Sequence, residues 1–279
     1  MEIVRVLQSG VGKRFGVCVC RKRHGGGGLE VVAKTVQRRK HAPLLQEELK
    51  MLRLMKERGV PHTQRLLDSP TDGSKNLWLY TKYYEAGDLL DFVISTEGKL
   101  LPLQTLLLIF IDVAHALSVM HGLGLAHFDV KPDNIFLSHE QGRLCGTLAD
   151  FEMAGNALTT KSRGTPEYCA PEILRLGKKL VDEVDGRACD VYSFAQTVLE
   201  VCDQPSVAPR LQPAMESFLM EKCCCCEAEE RAPVDEMWLL LRESVGEKQA
   251  TGPLTLSLPE QSVGCIFEGL SLQTKKGSP

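Results

Sequence analysis

The sequence predicts an α+β protein in which a small β-rich region with one helix precedes a larger helical region. In the first eighty residues, β-branched runs at 17–19 and 31–36 flank four consecutive glycines, a pattern typical of paired strands. The segment 76–83 also reads as a strand, and apolar residues at spacings of four, three and three predict a helix over 42–58. Later patterns predict helices over 103–121, 190–202, 215–226 and 234–245, with short strands at 135–137 and 145–150.

The composition is that of an ordinary globular protein. The 279 residues are 43% hydrophobic and 25% charged, and this length fits one two-lobed domain or two small domains. The formal net charge of −3 gives no basic field, so neither a nucleic acid nor an anionic membrane is expected as a partner. The first six residues do not read as a secretory signal, which predicts a cytoplasmic location, with the nucleus as the alternative, rather than secretion.

Two features have a membrane or metal interpretation that the sequence disfavours. The apolar stretch over 100–120 is long enough to span a membrane, but it contains Asp112 and His115, so a buried core helix is the better interpretation. Eleven cysteines without a secretory signal predict free thiols rather than a disulfide framework. The run Cys223 to Cys226 lacks the paired spacing of zinc sites, which favours small buried side chains over a metal centre.

Three motifs follow one another in the second half of the chain. The string HFDVKPDN at 127–134 resembles the protein-kinase catalytic loop, and DFE at 150–152 resembles the D-F-G element. The string GTPEYCAPE at 164–172 matches the substrate-facing loop and A-P-E end of the same family. The resemblance implies a two-lobed protein-kinase domain over residues 1–245, with a small lobe at about 1–83, a large lobe at about 87–245 and a flexible tail at 246–279.

The resemblance assigns the chemistry of phosphoryl transfer to four residues of these motifs. Asp129 would accept or orient the proton of the substrate hydroxyl, and Lys131 would steady the transferring γ-phosphate. Asn134 and Asp150 would supply hard oxygen ligands to Mg²⁺, with Mn²⁺ as an alternative ion.

A lysine–glutamate pair is expected in the small lobe. Lys34 ends the string VVAK and resembles the lysine that holds the α- and β-phosphates of ATP. Helical periodicity does not choose between Glu47 and Glu48 as its partner. The family pattern, a glutamate four residues before a leucine, selects Glu48 ahead of Leu52.

The remaining ATP contacts are expected from a glycine loop and a hinge. The three loop glycines are spaced two and four apart, one residue longer than G-x-G-x-x-G, and a cysteine stands where valine is usual. In the hinge, Thr81 resembles the gatekeeper, the backbones of Lys82 and Tyr84 would bond adenine, and Asp88 would bond the ribose. The resemblance thus assigns the ATP site to Gly10, Gly12, Phe15, Gly16, Cys18, Val32, Lys34, Thr81, Lys82, Tyr84, Asp88, Phe136 and Asp150.

Other residues are assigned structural or substrate-facing places by the same resemblance. Thr165 faces the substrate and favours serine or threonine as the acceptor. Asp190 is expected to open a helix and to brace the catalytic loop, and Glu172 with Arg231 resembles the ion pair of the large lobe. The structural residues are His127, Phe151, Glu172, Asp190 and Arg231.

The chain departs from the family pattern at two places near the reacting groups. Phe128 replaces the arginine that normally pairs with a phosphorylated activation loop, which predicts activity that does not depend on that phosphorylation. Thr159, Thr160 and Ser162 are candidate modification sites, although ordinary loop polarity is the favoured interpretation of each. Glu152 replaces a glycine and adds a negative charge near the metal and phosphate.

These motifs predict a serine/threonine protein kinase that takes ATP and a protein substrate. The alternative is a pseudokinase, a nucleotide-binding scaffold, because the glycine loop, Phe128 and Glu152 are altered. A small-molecule kinase is disfavoured by the intact string at 164–172.

Overall fold

The computed structural model describes residues 2–8, 14–21, 30–36, 38–73, 76–95, 99–140, 142–178 and 182–246. Within these ranges the chain divides into two compact units. The first unit holds the described residues up to 56 together with 64–83, and the second holds 57–63 together with the described residues from 84 to 246.

The first unit is built on an antiparallel sheet whose strand order is β1-β2-β3-β5-β4. Its elements are β1 (Glu2–Gln8), β2 (Phe15–Arg21), β3 (Glu30–Val36), α1 (Ala42–Arg58), β4 (Leu66–Asp68) and β5 (Trp78–Lys82). The helix predicted over 42–58 is confirmed with the same bounds. Because β3 lies between β2 and β5, Lys34 is flanked by Val17 on one side and Leu79 on the other.

The second unit is mainly helical. Its helices are α2 (Leu89–Ser95), α3 (Leu103–Gly122), α4 (Pro171–Gly177), α5 (Gly186–Cys202), α6 (Pro213–Phe218) and α7 (Val234–Val245), with single turns at Pro132–Asn134, Leu219–Cys223 and Ala228–Glu230. Short strand pairs join the loops between them. They are β7 (Leu125–Ala126) with β10 (Gly155–Asn156), β8 (Ile135–Glu140) with β9 (Arg143–Leu148), β11 (Leu158–Thr159) with β12 (Val184–Asp185), and β6 (Leu101–Pro102) with β13 (Val207–Ala208).

Helix α3 is the core element of the second unit. By length and composition it could cross a membrane, but 67% of its most apolar window is buried inside the protein. Its Asp112 is 2% exposed and accepts two hydrogen bonds of 2.8 Å from Arg143 and one of 3.0 Å from the Gly146 amide. A Cβ at Gly146 would lie 2.8 Å from the Ile109 carbonyl oxygen, so glycine permits this close approach of β9 to the helix.

Two helix boundaries differ from the prediction. The helix predicted from Asp190 begins at Gly186, with Asp185 as its N-cap accepting from the Arg187 amide at 2.9 Å, so the expectation that Asp190 opens it is wrong. The helix predicted over 215–226 ends at Phe218 and continues as one wider turn to Cys223.

The four consecutive cysteines do not share one environment. Cys223 is buried, Cys224 and Cys225 are half-buried, and Cys226 is exposed, so the reading of all four as buried side chains is wrong beyond the first. The reason is that the chain leaves the helical turn after Cys223. Across the described ranges, His, Cys, Asp and Glu side chains form no group of three or more that could hold a metal ion.

Candidate active site

The loop at 127–134 is fixed from beneath by one buried carboxylate of α5. Asp190 is 0% exposed and accepts hydrogen bonds of 2.7 Å from the backbone amides of His127 and Phe128. The Nε2 atom of His121 lies 3.0 Å from the same carboxylate. A carboxylate buried this deeply needs hydrogen-bond donors, and the loop amides supply them to Asp190. These bonds fix the backbone of the loop.

Asp129 is the centre of a network that joins four of the residues singled out by the motifs. Its Oδ1 accepts from the Thr165 hydroxyl at 2.7 Å, and its Oδ2 accepts from Asn134 Nδ2 at 2.9 Å. Lys131 Nζ donates to the Thr165 hydroxyl at 2.6 Å and lies 3.3 Å from Asp129 Oδ2. The side chains of Asp129 and Lys131 keep 12% and 19% exposure, so a ligand can reach both.

Asp150 follows β9 in a conformation that side chains rarely adopt, with φ of +60°. The residue before it, Ala149, donates its amide to the Asn134 carbonyl at 2.9 Å and lies 3.0 Å through its oxygen from His127 Nε2. Phe151 is fully buried and meets the His127 ring edge-on at 5.1 Å. His127 and Phe151 therefore connect the segment at 150–152 to the catalytic loop.

The donor set at Asn134 and Asp150 fits a hard divalent cation. Nδ2 of Asn134 donates both to the Asp129 carbonyl at 2.8 Å and to its carboxylate, so the amide oxygen points away from Asp129. That oxygen and the Asp150 carboxylate are ligands of the type that Mg²⁺ prefers. Glu152 is half-buried and its φ is not positive. It therefore stands where D-F-G has glycine without the backbone strain that a positive φ would bring.

Lys34 and Glu48 form an ion pair within the first unit. The Nζ and Oε2 atoms are 2.8 Å apart, and the side chains are 16% and 2% exposed respectively. The Lys34 ammonium also lies 4.5 Å from the centre of the Phe15 ring. Glu47 lies on the exposed face of α1 near Lys50, so it is Glu48 that contacts the lysine.

Glu172 and Arg231 form a bidentate pair in the second unit. Arg231 Nη1 lies 2.5 Å from Oε1 and Nη2 lies 2.9 Å from Oε2. The guanidinium also donates to the carbonyls of Ala188 and Cys225, each at 3.0 Å. Burial, the largest single effect, raises the pKa of the Glu172 carboxyl. The hydrogen bonds and charge of Arg231, with further bonds from the Glu172 amide and Cys189, together outweigh it and hold the pKa below its ordinary value.

A family model described as a protein kinase domain matches residues 6–238 of the chain. The chain belongs to the protein kinase family. The predicted fold class, with a β-rich first unit and a helical second unit, is confirmed by this match and by the strands and helices observed.

Several curated relatives of this kinase domain are serine/threonine kinases. It is 29% identical over 209 residues to SNF-related serine/threonine-protein kinase of Rattus norvegicus and of Homo sapiens, a match that covers 71% of this chain and 26% of each relative. It is 28% identical over 193 residues to serine/threonine-protein kinase ULK1 of Homo sapiens, covering 64% of this chain and 17% of that protein. The chain thus spans about a quarter or less of the length of these relatives.

In the first unit of the kinase domain, the residues assigned to ATP lie on β2, β3 and β5. Phe15 and Cys18 are buried, and Gly16 and Val32 are half-buried. Thr81 is 4% exposed on β5, and the Lys82 amide donates to the Arg65 carbonyl at 3.0 Å. Any contact of Lys82 with adenine therefore falls to its carbonyl. The assignments to Gly10 and Gly12 lie outside the described residues.

In the second unit, the assigned ATP residues Tyr84, Asp88 and Phe136 are neighbours. The rings of Tyr84 and Phe136 are 5.6 Å apart, and Asp88 forms a backbone bridge to Phe136. Asp88 also accepts from the Asp91 amide at 2.8 Å, which caps α2, and its burial raises the pKa of its carboxyl. The kinase motifs did not identify Asp88 as a helix cap. The sequence signal was present, because aspartate is a preferred residue immediately before the first turn of a helix.

A cavity of about 490 Å³ opens beside the catalytic loop of the kinase domain. Its lining is Lys131, Asp133, Thr165, Glu167, Tyr168, Gln196 and Glu200. The Tyr168 hydroxyl donates to Glu200 at 2.6 Å. Burial is the main cause of the raised pKa of Tyr168, and the hydrogen bond to Glu200 raises it further. Sequence reasoning missed Gln196 and Glu200, because they lie on α5 outside every motif.

Proposed function

We propose that this kinase domain is an active serine/threonine protein kinase that transfers the γ-phosphoryl group of ATP to a hydroxyl of a protein substrate. The observation that carries the proposal is the network of Asp129, Lys131, Asn134 and Thr165, in which a carboxylate and an ammonium meet one hydroxyl. The serine/threonine kinases among the relatives support the same reaction class.

In this proposal the substrate hydroxyl binds the Asp129 carboxylate next to the Thr165 hydroxyl, which donates to Oδ1 at 2.7 Å. As its oxygen bonds to the γ-phosphorus, the bond between that phosphorus and the leaving oxygen of ADP breaks, and the hydroxyl proton passes to Asp129. Lys131, 3.3 Å from the same carboxylate, neutralises charge on the transferring group.

The nucleotide side of the reaction is assigned to Lys34 with Glu48 and, separately, to Asn134 with Asp150. Lys34, oriented by Glu48, presents a single positive charge to the α- and β-phosphates. Asn134 and Asp150 would hold Mg²⁺, which would supply positive charge that neutralises the phosphates. The acceptor polypeptide would approach through the cavity beside Thr165.

The domain boundaries and a cytoplasmic location stay predictions from the sequence.

We further propose that activity does not require a phosphorylated activation loop. Phe128 is 4% exposed within an apolar cluster and offers no charge to a phosphate. Thr159 is 6% exposed in β11, so it is poorly accessible to another kinase, whereas Thr160 is exposed and Ser162 bonds weakly to the Ile173 carbonyl at 3.4 Å. Phosphatase treatment is therefore expected to leave the rate unchanged.

The test is transfer from labelled ATP with Mg²⁺, and again with Mn²⁺, onto generic basic and acidic proteins. Asp129→Asn removes the proton acceptor without changing its size, and we expect the rate to fall about 10²–10⁴-fold. Lys34→Met serves as a second inactive variant. Label on serine or threonine that disappears in both variants supports the proposal.

A thermal-shift titration with ATP distinguishes an active kinase from the alternative, a nucleotide-binding pseudokinase. A shift on ATP addition without transfer would favour a nucleotide-binding pseudokinase, the alternative motivated by Phe128 and Glu152. If ATP causes no thermal shift and no phosphoryl transfer is detected, both the kinase hypothesis and the pseudokinase hypothesis are contradicted.

A further inference from the structure

One side chain outside the motif residues assigned above, Arg163, connects three segments of the second unit. Its guanidinium lies 5.0 Å from the centre of the Phe128 ring, a cation–π arrangement. Its Nη1 donates to the Met153 carbonyl at 2.8 Å. Arg163 immediately precedes Gly164 and Thr165, so it ties the catalytic loop and the segment after Asp150 to the residue that bonds Asp129.

The backbone around this contact is shaped for it by three glycines. A Cβ at Gly186 would lie 2.2 Å from the Phe128 ring, and one at Gly155 would lie 3.0 Å from Arg163 Nη1. At Gly164, where φ is +91°, a Cβ would lie 2.3 Å from the Phe128 carbonyl oxygen. Any side chain at Gly186 or Gly164 would displace the ring or the loop, so the fit depends on tertiary packing rather than on local propensity.

The ring itself is held firmly. Phe128 packs with buried residues of the helices and strands around it, among them Ala170, Ile173 and Cys189. Its φ of +66° is sterically costly, which is tolerated only where the surroundings fix the residue. Arg163 therefore stacks on a rigid surface, and the Arg163 carbonyl accepts a hydrogen bond from Cys169 Sγ at 3.3 Å.

We propose that Arg163 is a positioning residue for phosphoryl transfer. Its stack on Phe128 and its bond to Met153 hold Gly164 and Thr165 where the Thr165 hydroxyl reaches Asp129 and Lys131. This contact does through an arginine and an aromatic ring what a phosphate on the loop would otherwise do. The inference rests on the proposed kinase function and names the device that makes phosphorylation dispensable.

The test compares Arg163→Ala and Arg163→Lys with Arg175→Ala, a control at an exposed arginine of α4. We expect Arg163→Ala to lower kcat/KM for the protein substrate about 10–100-fold, because small displacements at a reacting site cost rates of that order. KM for ATP should stay unchanged, since the variant touches neither Lys34 nor the hinge. Guanidinium at millimolar concentration should restore part of the rate to Arg163→Ala and none to Arg175→Ala.

Arg163→Lys keeps the charge but loses the planar group that stacks and donates at a fixed angle. It should lose most of the same activity, and it carries the test if the alanine variant fails to fold. Wild-type rates in Arg163→Lys, or in Arg163→Ala without added guanidinium, would overturn the inference while leaving the kinase function intact.

Amide exchange over residues 155–169 measures the hold on the loop without turnover. Faster exchange in Arg163→Ala than in Arg175→Ala supports the contact, and equal exchange contradicts it. A wild-type protein as inactive as Asp129→Asn would instead count against the proposed function, and the two failures are thereby distinguished.

Discussion

Each unit of this kinase domain contains one buried glutamate paired with a cation, and the two pairs are built differently. In the first unit, Lys34 Nζ lies 2.8 Å from Glu48 Oε2, and the lysine side chain keeps 16% exposure. In the second, the side chain of Arg231 is 0% exposed and bonds both oxygens of Glu172 as well as three backbone carbonyls. The first cation can turn toward a ligand, whereas the second is fully used inside the protein.

The difference follows from the chemistry of the two cations. A lysine ammonium is a compact point charge on a flexible stem, suited to a phosphate that arrives and leaves. A guanidinium presents a rigid fork of five donors, suited to joining segments that must stay together. Arg231 joins α4, through Glu172, to α5, through Ala188, and to the turn after Cys223. The comparison predicts that changes to the second pair affect stability and changes to the first affect catalysis.

The largest effect is expected from Arg231→Met. Removing the guanidinium leaves Glu172 buried without its cation and removes the bonds that Arg231 donates to the carbonyls of Ala188 and Cys225. Breaking a buried pair in this way costs about 3–5 kcal/mol of unfolding free energy. Chemical denaturation of the purified domain measures it.

Arg175→Met, at an exposed arginine, is the matched control and should change stability by less than about 0.5 kcal/mol. If Arg231→Met cost no more than this control, the pair would contribute no stability and the contrast with Lys34 would fail.

The next effect is expected from Lys34→Arg, which exchanges one cation type for the other. The positive charge beside Glu48 stays, so the unfolding free energy should change little. A planar fork does not reproduce the ammonium at the phosphates, so the transfer rate should fall about 10²–10³-fold. Steady-state kinetics and denaturation of the same samples separate the two quantities.

Lys50→Arg on α1, where the lysine is 74% exposed, controls for the substitution itself. A Lys34→Arg variant that kept wild-type activity would show that the lysine acts only as a charge, and the distinction between the pairs would then be one of burial alone.

Prediction from sequence succeeded where a segment had strong helical periodicity or carried a kinase motif. The helices at Ala42–Arg58 and Val234–Val245 have the predicted bounds, because their apolar residues recur at helical spacing without interruption. The motif residues of the catalytic loop do meet around Asp129 and Thr165. Helical periodicity could not choose between Glu47 and Glu48. The family pattern selects Glu48, and the structure places Glu48, buried, against Lys34.

Prediction failed where contacts distant in sequence decide the local structure. Gly186 reads as a helix breaker, yet it starts α5, because Asp185 caps that end and the Phe128 ring occupies the space of a Cβ. The cysteines after Cys223 leave the helical path, and Arg231 takes up the Cys225 carbonyl there. Arg163 belongs to no motif, and its role follows only from the fold that brings Phe128 and Met153 beside it.

The smallest effect concerns the charge on Glu172. Burial, the largest single effect, raises its pKa, but the bonds and charge of Arg231, with bonds from the Glu172 amide and Cys189, together bring it below the ordinary value of 4.5. A carboxyl with a depressed folded-state pKa adds stability above its unfolded pKa and loses it as the pH falls through the folded value. Glu172→Gln should therefore cost about 1–3 kcal/mol at neutral pH. That gap from wild type should narrow below about pH 4.5.

Denaturation curves of wild type and Glu172→Gln over a pH series measure this gap, with the exposed Glu229→Gln as the control. The control should follow the wild-type curve at every pH. A gap that stays constant on acidification would mean that Glu172 stabilises the second unit through shape and hydrogen bonding rather than charge. The pair with Arg231 would then differ from Lys34–Glu48 by its fork geometry alone, since the ionised carboxylate would add nothing to the fold.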